Sequence, residues 1–114
     1  GLGDVYKRQV EDNMDNPSFN VDVLCNLLNM SRTSFYNKIK ALTDQAPADY
    51  IRLIRLKHAA QLLKGQKHTI TEISELTGFS DAKYFREVFK KHFNMSPSQY
   101  AKRGKEGKDD EEIK

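Results

Sequence analysis

An internal repeat constrains the fold of this chain more than any other feature of its 114 residues. Residues 24–31 (LCNLLNMS) match residues 73–80 (ISELTGFS) in character at an offset of 49. A second segment, 46–50 (APADY), matches 96–100 (SPSQY) at an offset of 50. Between these segments, three pairs continue the first offset: Phe35 with Tyr84, Tyr36 with Phe85, and Ile39 with Val88. Repetition of this length indicates two copies of one structural unit.

Each copy is predicted to be a helix-turn-helix. Apolar residues recur at three- and four-residue spacing, which is typical of helices, and alternating strand patterns are nearly absent. Cys25 and Ser74 are small enough for two helices to cross closely, while Asn29 and Gly78 tolerate the left-handed backbone of a tight turn. One unit alone could be an ordinary helical corner. Two such units repeated at a nearly constant offset favour a DNA-binding protein.

Capping residues mark the helices of the first unit, which we expect over about residues 20–42. Asn20 and Ser31 are suitable N-cap residues for its two helices. A helix before this unit should end at the pair Asn16-Pro17, since the residue before proline avoids helical dihedral angles. That helix is indicated by a stripe of apolar residues: Leu2, Val5, Tyr6, Val10 and Met14.

A long linker helix is predicted over about residues 48–64. Pro47 fits its first position, and Gly65 is a suitable C-terminal stop. Arg52 and Arg55 lie on this helix, and each could either extend along its surface or pair with an acidic residue.

The second unit is predicted over about residues 70–92. Thr69 and Glu72 form a capping-box pattern that opens its first helix. Gly78 stops that helix, and Ser80 or Asp81 starts the next.

Positive charge is concentrated in two blocks. The chain carries +3 overall, whereas residues 31–64 alone carry +5 and residues 80–103 carry +4. Two basic blocks suit a polyanion that is touched at two places. The segment 104–114 has three lysines, five acids and no apolar stripe, so it is expected to be a disordered charged tail.

Several classes of function are disfavoured by the sequence. Cys25 and the three histidines, His58, His68 and His92, lack the spacing of zinc ligands, so we expect no metal and no cofactor. No acid, base and nucleophile are arranged as in an enzyme. Without an apolar run of 18 residues or a signal peptide, the chain is expected to be cytoplasmic and to make no membrane contact.

Several segments resemble the signature of the AraC/XylS family of bacterial transcription regulators: 70–73 (ITEI), 78–81 (GFSD), 84–91 (YFREVFKK) and 96–100 (SPSQY). With MSR at 30–32 and LIRL at 53–56, the chain is most similar to the C-terminal output domains of Bacteroides-type hybrid two-component regulators. The resemblance implies a homeodomain-like, seven-helix domain over residues 1–103, with two helix-turn-helix subdomains joined by the linker helix. It also implies promoter DNA, RNA polymerase and upstream sensor or receiver domains as partners.

In such domains the second helix of each unit enters a major groove, so side chains of its first two turns that avoid the core should reach base edges. In the first unit these are Arg32, Thr33, Tyr36 and Asn37. Asn37 can pair with adenine, Arg32 with guanine or a phosphate, and the Thr33 methyl can touch thymine. Tyr36 could equally be partly buried against the linker helix.

In the second unit the expected base contacts are Ala82, Lys83 and Arg86, while Asp81 is better suited to capping the helix. Glu87 departs from the basic residue that relatives often have there. Its carboxylate would repel phosphate unless it accepts from a cytosine amine or pairs with a neighbouring lysine.

Other side chains are expected to touch only the DNA backbone, where they add affinity and salt dependence. These are the capping hydroxyls of Ser31 and Ser80 and four lysines: Lys38, Lys40, Lys90 and Lys91.

Two alternative functions remain for a chain with this fold: a helical protein-interaction module and a non-specific nucleic-acid binder. Salt dependence and sequence preference together distinguish them from a specific reader.

Overall fold

The structure is a computed structural model that describes residues 2–105, with side chains described for residues 3–103. This part of the chain is all-α, as expected, and contains seven helices: α1 (Leu2–Asp12), α2 (Val21–Leu27), α3 (Arg32–Thr43), α4 (Pro47–Gly65), α5 (Ile70–Leu76), α6 (Ala82–Phe93) and α7 (Pro97–Lys105). The predicted tail begins inside α7, which continues to Lys105. Its remaining residues, 106–114, lie outside the described range.

The first unit packs α1, α2 and α3 around one apolar core. Tyr6 and Val10 of α1 and Phe35 and Ile39 of α3 are fully or almost fully buried there. The ring of Tyr6 meets that of Phe35 edge-on, with 4.6 Å between centroids. The Tyr6 hydroxyl donates to the sulfur of Met30 at 3.3 Å. The N-terminal helix is therefore part of this unit's core.

The second unit packs α5, α6 and α7 around an aromatic core. Phe85, Phe89 and Phe93 follow one face of α6 at four-residue spacing, and all three are buried. Tyr100 of α7 meets the Phe89 ring edge-on, with 5.5 Å between centroids. Pairs of rings in this geometry stabilise a core beyond the area that they bury.

The linker helix α4 belongs to both cores. Ile51 and Ile54 are part of the first core, while Leu56 and Leu63 are part of the second. The change from one core to the other falls at Arg55, whose side chain is itself buried. Helix α4 therefore joins the two units, with residues before Arg55 packed in the first core and residues after it packed in the second.

Gly65 does not end α4 in the way that the sequence indicated. It is the last helical residue, and the left-handed position follows at Gln66, which has φ 55°. The Gln66 N–H donates to the Leu63 carbonyl at 3.2 Å. Pro47 starts the helix, as predicted.

The two turns have the left-handed residues that were predicted, Asn29 with φ 55° and Gly78 with φ 82°. Glycine is required at the second turn for a further reason. A Cβ atom on Gly78 would lie 1.2 Å from Nη1 of Arg55. The turn backbone and the linker helix therefore approach as closely as they do only because no side chain stands between them.

The repeat was aligned wrongly over the second helix of each unit. Helices α3 and α6 are both 12 residues long and correspond at an offset of 50, so Phe35 matches Phe85 and not Tyr84. The inserted residue is Ser80, which lies between the turn and the N-cap of α6. Ser80 does not cap that helix, because the Asp81 carboxylate accepts the N-terminal hydrogen bond instead.

Candidate nucleic-acid interface

The exposed face of α3 carries all four side chains that were predicted to read bases in the first unit. Because Phe35 and Ile39 fix the buried face of the helix, Arg32, Thr33, Tyr36 and Asn37 point away from the core and are exposed. Tyr36 keeps 47% of its surface, so its side chain is partly covered and partly available to a partner.

The N-terminus of α3 is well organised for an anionic partner. The Ser31 hydroxyl accepts from the Ser34 N–H at 3.1 Å, as a cap should. Arg32 forms an ion pair with Asp22 of α2, and both side chains are largely exposed. Exposed pairs of this kind contribute little stability, so the Arg32 guanidinium can exchange this carboxylate for a phosphate or a base at small cost.

Helix α6 presents a matching face in the second unit. The Asp81 side chain accepts from the Lys83 N–H at 2.9 Å, which caps the helix. Lys83, Arg86 and Glu87 are exposed, whereas Ala82 is half-buried. At the offset of 50, Arg86 occupies the position of Tyr36 and Glu87 that of Asn37.

Glu87 has no ion pair with Lys83 or Lys91 within the described part of the chain. Its carboxylate stays on the exposed face of α6, beside Arg86. The second helix therefore offers one acceptor among its donors, which is the arrangement that a cytosine amine would need.

The four lysines that were predicted to contact the DNA backbone are all exposed: Lys38, Lys40, Lys90 and Lys91. Lys40 and Lys90 occupy equivalent positions of α3 and α6. Among the described contacts of these lysines, Lys40 Nζ donates to the Asp44 carbonyl at 3.4 Å.

Arg55 is the residue that sequence reasoning placed least well. It neither extends along the surface nor pairs with an acid, because its guanidinium is buried among backbone carbonyls. Nη1 donates to Met14 O at 2.9 Å and to Thr77 O at 2.8 Å. Nη2 donates to Asn16 O at 3.0 Å and to Phe19 O at 3.2 Å. Burial lowers the pKa of Arg55, although a guanidinium remains charged in proteins.

Arg52, one turn earlier on α4, pairs with an acidic residue, which is one of the two alternatives that the sequence allowed. Its Nη2 pairs with Oδ1 of Asp49 on the same helix, and both side chains are partly exposed. The two arginines of the linker helix therefore have different roles, which their similar sequence surroundings could not distinguish.

The sequence also contained no indication of a groove that lies between α4 and α6. It is lined by Gln45 from the α3–α4 turn, by Arg52 and Leu56 of α4, and by Tyr84 and His92 of α6. Among the residues that the structure describes, Gln45 Oε1 and His92 Nε2 are buried without a hydrogen-bond partner. The offset of 49 paired Tyr84 with Phe35, but the Tyr84 ring is exposed, whereas that of Phe35 is buried.

The described residues include no group of three potential metal ligands. Burial raises the pKa of the Cys25 thiol, so this side chain is an uncharged part of the first core. None of the helices in the described range is long and apolar enough to cross a membrane.

Comparison with known proteins shows what this arrangement is similar to. A family of helix-turn-helix domains matches residues 24–103. The protein named Histidine kinase P4 of Formosa agariphila is 50% identical over 94 residues, which cover 82% of this chain and 7% of that protein. The Msm operon regulatory protein of Streptococcus mutans is 36% identical over 85 residues, which cover 75% of this chain and 31% of that protein. The chain therefore spans less than a third of either relative.

A solved structure agrees with the fold. The C-terminal domain of the two-component response regulator YesN of Fusobacterium nucleatum superposes with a TM-score of 0.80 at 27% identity. The match covers 88% of this chain and 97% of that domain.

Proposed function

The chain belongs to the AraC-type family of helix-turn-helix domains, and from this premise we propose that α3 and α6 read adjacent major grooves of one promoter. The family consists of DNA-binding transcription regulators, so sequence-specific binding of double-stranded DNA is the function of this domain. The proposal concerns how this chain does it and with which residues.

The observation that carries the proposal is the equivalence of the two recognition helices. Both have 12 residues and an N-cap side chain that accepts from the first turn. Both bury the same positions, Phe35 and Ile39 in α3 and Phe85 and Phe89 in α6. They therefore expose the same face, and one mode of docking into a major groove can serve both.

The dimensions of the molecule fit two grooves. Helix α4 has 19 residues and at a rise of 1.5 Å per residue is about 28 Å long. The longest dimension of the structure is 45 Å. Successive major grooves on one face of DNA lie about 34 Å apart, so two helices joined by α4 can reach both.

We assign base contacts to seven positions in the first two turns of the recognition helices, all of them exposed except the half-buried Ala82: Arg32, Thr33, Tyr36 and Asn37 in α3, and Ala82, Lys83 and Arg86 in α6. Asn37 and Arg86 carry the most specific chemistry, since an amide pairs bidentately with adenine and a guanidinium with guanine. Backbone contacts are assigned to the remaining exposed groups near these helices: Ser31, Lys38, Lys40, Ser80, Lys90 and Lys91.

The domain is proposed to act as the output part of a longer regulator. Two findings support this: the chain covers only 7% of the Formosa protein, and the Fusobacterium domain is the C-terminal part of a two-component response regulator. Upstream sensor or receiver domains and RNA polymerase are then its partners, and the cytoplasm is its site of action. Transcription in vitro from a promoter with the selected site, with and without the chain, tests the polymerase contact.

The test of DNA reading is selection of bound duplexes from a random library at physiological salt. We expect a two-part motif with half-sites about one helical turn apart. Asn37→Ala should relax the motif at one half-site and Arg86→Ala at the other, with a loss of about 1–3 kcal/mol each. Matched controls remove the same groups elsewhere on the surface: Asn26→Ala on α2 and Arg8→Ala on α1 should leave both half-sites unchanged.

Other outcomes identify other functions. Steep salt dependence without an enriched motif would indicate a non-specific binder. Weak binding that is independent of salt would favour a protein-interaction module. Relaxation of the same half-site by both variants would contradict the assignment of one groove to each helix.

A further inference from the structure

We propose that Arg55 is a positioning residue, which fixes the orientation of the two helix-turn-helix units and thereby the spacing of the half-sites that the chain accepts. The inference rests on the two-groove function proposed above and adds a determinant of specificity that does not touch DNA.

Arg55 bonds to both units at once. Met14, Asn16 and Phe19 lie in the segment that joins α1 to α2, so three of the four acceptors belong to the first unit. The fourth acceptor is Thr77 at the end of α5, next to the turn of the second unit. A single Nη1 atom bridges the two units, since it donates to both Met14 O and Thr77 O.

Few contacts between helices hold the units together, and beside Arg55 the turn at Gly78 also lies against the Met14 carbonyl. Among the described helices, α1 and α3 pack on each other and on α4, and α2 packs on α3, while α5, α6 and α7 pack on one another or on α4. No helix of the first unit packs extensively on a helix of the second. The units are therefore joined through α4, and Arg55 lies where that helix passes from one core to the other.

The chemistry of the side chain suits this role. A guanidinium is a planar fork with five N–H donors, so it can hold several acceptors at fixed angles. A lysine at the same position would keep the charge but has a single nitrogen on a flexible stem. A rotation of one unit against the other would break the bonds on one side and leave buried carbonyls unsatisfied.

Orientation determines spacing because DNA is helical. One inserted base pair moves a half-site by about 3.4 Å and rotates it by roughly 35°. A rigid pair of units can satisfy both half-sites at one spacing only. A loosened pair should accept neighbouring spacings more evenly.

The first experiment measures binding of the full 114-residue chain to the selected two-part site and to sites with one base pair added or removed. We expect the wild type to prefer its optimal spacing about tenfold or more, since the wrong spacing forfeits base contacts in one half-site. In Arg55→Lys and Arg55→Gln this preference should fall to about threefold or less on the same scale. The matched control is Arg52→Lys, whose arginine pairs only within α4, and it should keep the wild-type ratio.

A second pair of variants tests the Arg55 hydrogen bonds through the left-handed turns of the two units. In Gly78→Ala the new methyl would overlap the Arg55 guanidinium and would lie 2.5 Å from the Met14 carbonyl oxygen, so it would disturb both Arg55 and one of its acceptors, and the spacing preference should fall as well. Asn29→Ala alters the equivalent left-handed turn of the first unit, which contains none of the four carbonyl acceptors of Arg55, and should keep the preference. This pair carries the test if the Arg55 variants do not fold.

A measurement without DNA separates this inference from the proposed function. Spin labels on Lys40→Cys and Lys90→Cys, in a Cys25→Ser background, report the distance between α3 and α6. We expect a narrow distribution with Arg55 and a broader one with Arg55→Lys. A distribution and a spacing preference unchanged in folded Arg55→Lys would overturn the inference. If the wild type binds no two-part site, the proposed function fails, while a broadened distribution would still establish the link between the units.

Discussion

At the scale of single residues, His92 is a titratable group whose protonation opposes the native fold. Its ring lies edge-on to Phe93, with 4.7 Å between centroids, and its Nε2 is buried without a partner. Burial lowers the pKa of His92, and the nearby charge of Lys57 lowers it further. Asp49, Arg52 and Lys91 line the same groove. The lowered pKa of His92 means that the native structure favours the neutral imidazole, and Nε2 has no hydrogen-bond partner among the described residues.

We therefore predict that the free energy of unfolding falls as the pH drops below about 6.5, the usual value for an unfolded histidine. Between that pH and the lower native pKa, the unfolded chain binds more protons than the folded chain, so acid favours unfolding. The loss is limited to about 1.4 kcal/mol per pH unit for one proton. Urea titrations at pH 7.0 and 5.5 measure it.

Two variants separate His92 from the other titrating groups. His92→Gln should make the stability less dependent on pH over this range, because no imidazole is left in the groove. His68→Gln removes an exposed imidazole from the loop before α5 and serves as the matched control. An equal pH dependence in wild type and His92→Gln would show that burial of this ring is not the cause.

At the scale of the elements, the ends of the helices are as informative as their faces. Helices α3 and α6 end at Asp44 and Asn94, each in the left-handed region and each donating its N–H to the carbonyl four residues earlier at 2.8 Å. Helix α4 ends at Gln66, a residue type with no special tolerance for φ 55°. Of these three helix ends, the C-terminal end of α4 is therefore the one where a substitution should gain the most stability.

We predict that Gln66→Gly stabilises the chain by about 0.5 kcal/mol. A left-handed residue with a Cβ costs roughly 1 kcal/mol, and the greater freedom of glycine in the unfolded chain takes back about half of that. The side-chain bond from Gln66 to Ala101 O is long, at 3.5 Å, so little is lost with it. Thermal unfolding measures the change. Gln61→Gly, inside the same helix, should instead cost about 1 kcal/mol, and stabilisation by both would refute the explanation.

The sequence predicted the elements well where a local rule acts. The capping box at Thr69 and Glu72 and the left-handed turns at Asn29 and Gly78 depend on neighbouring residues only, and all were found as predicted. Ser80 was misplaced because a one-residue insertion preserves the apolar-aromatic pattern at either offset. Arg55 was misassigned because its acceptors are main-chain carbonyls 22 to 41 residues away, and no side-chain pattern records where these converge.

At the scale of the whole molecule, charge is distributed to match the two recognition helices. The basic blocks at residues 31–64 and 80–103 include α3 and α6, while residues 1–30 carry a net charge of −3. The long axis of the molecule measures 45 Å and the short axis 21 Å. A chain with two basic segments of this kind should neutralise phosphates, and so release counterions, at both recognition helices.

We predict that the logarithm of the association constant falls with the logarithm of salt concentration with a slope of about −3.6 or steeper, since four lysines are assigned to phosphates. Lys90→Gln combined with Lys91→Gln should make the slope shallower by about 1.8, without changing the selected sequence. Binding titrations at several salt concentrations measure this. Lys7→Gln combined with Lys102→Gln removes the same charge from α1 and α7 and should change the slope much less. Equal changes in both double variants would mean that net charge, and not location, controls binding.

The Arg55 link has one more consequence, which concerns how such a chain can diverge over generations. All four of its acceptors are main-chain carbonyls, so the link depends on the path of the chain at residues 14, 16, 19 and 77, which the buried side chains of Met14, Phe19 and Thr77 help to hold. Substitutions on the exposed faces of α3 and α6 leave these four carbonyls in place and therefore keep the link. Each half of the molecule is thus free to acquire a new recognition surface while both inherit the same geometry.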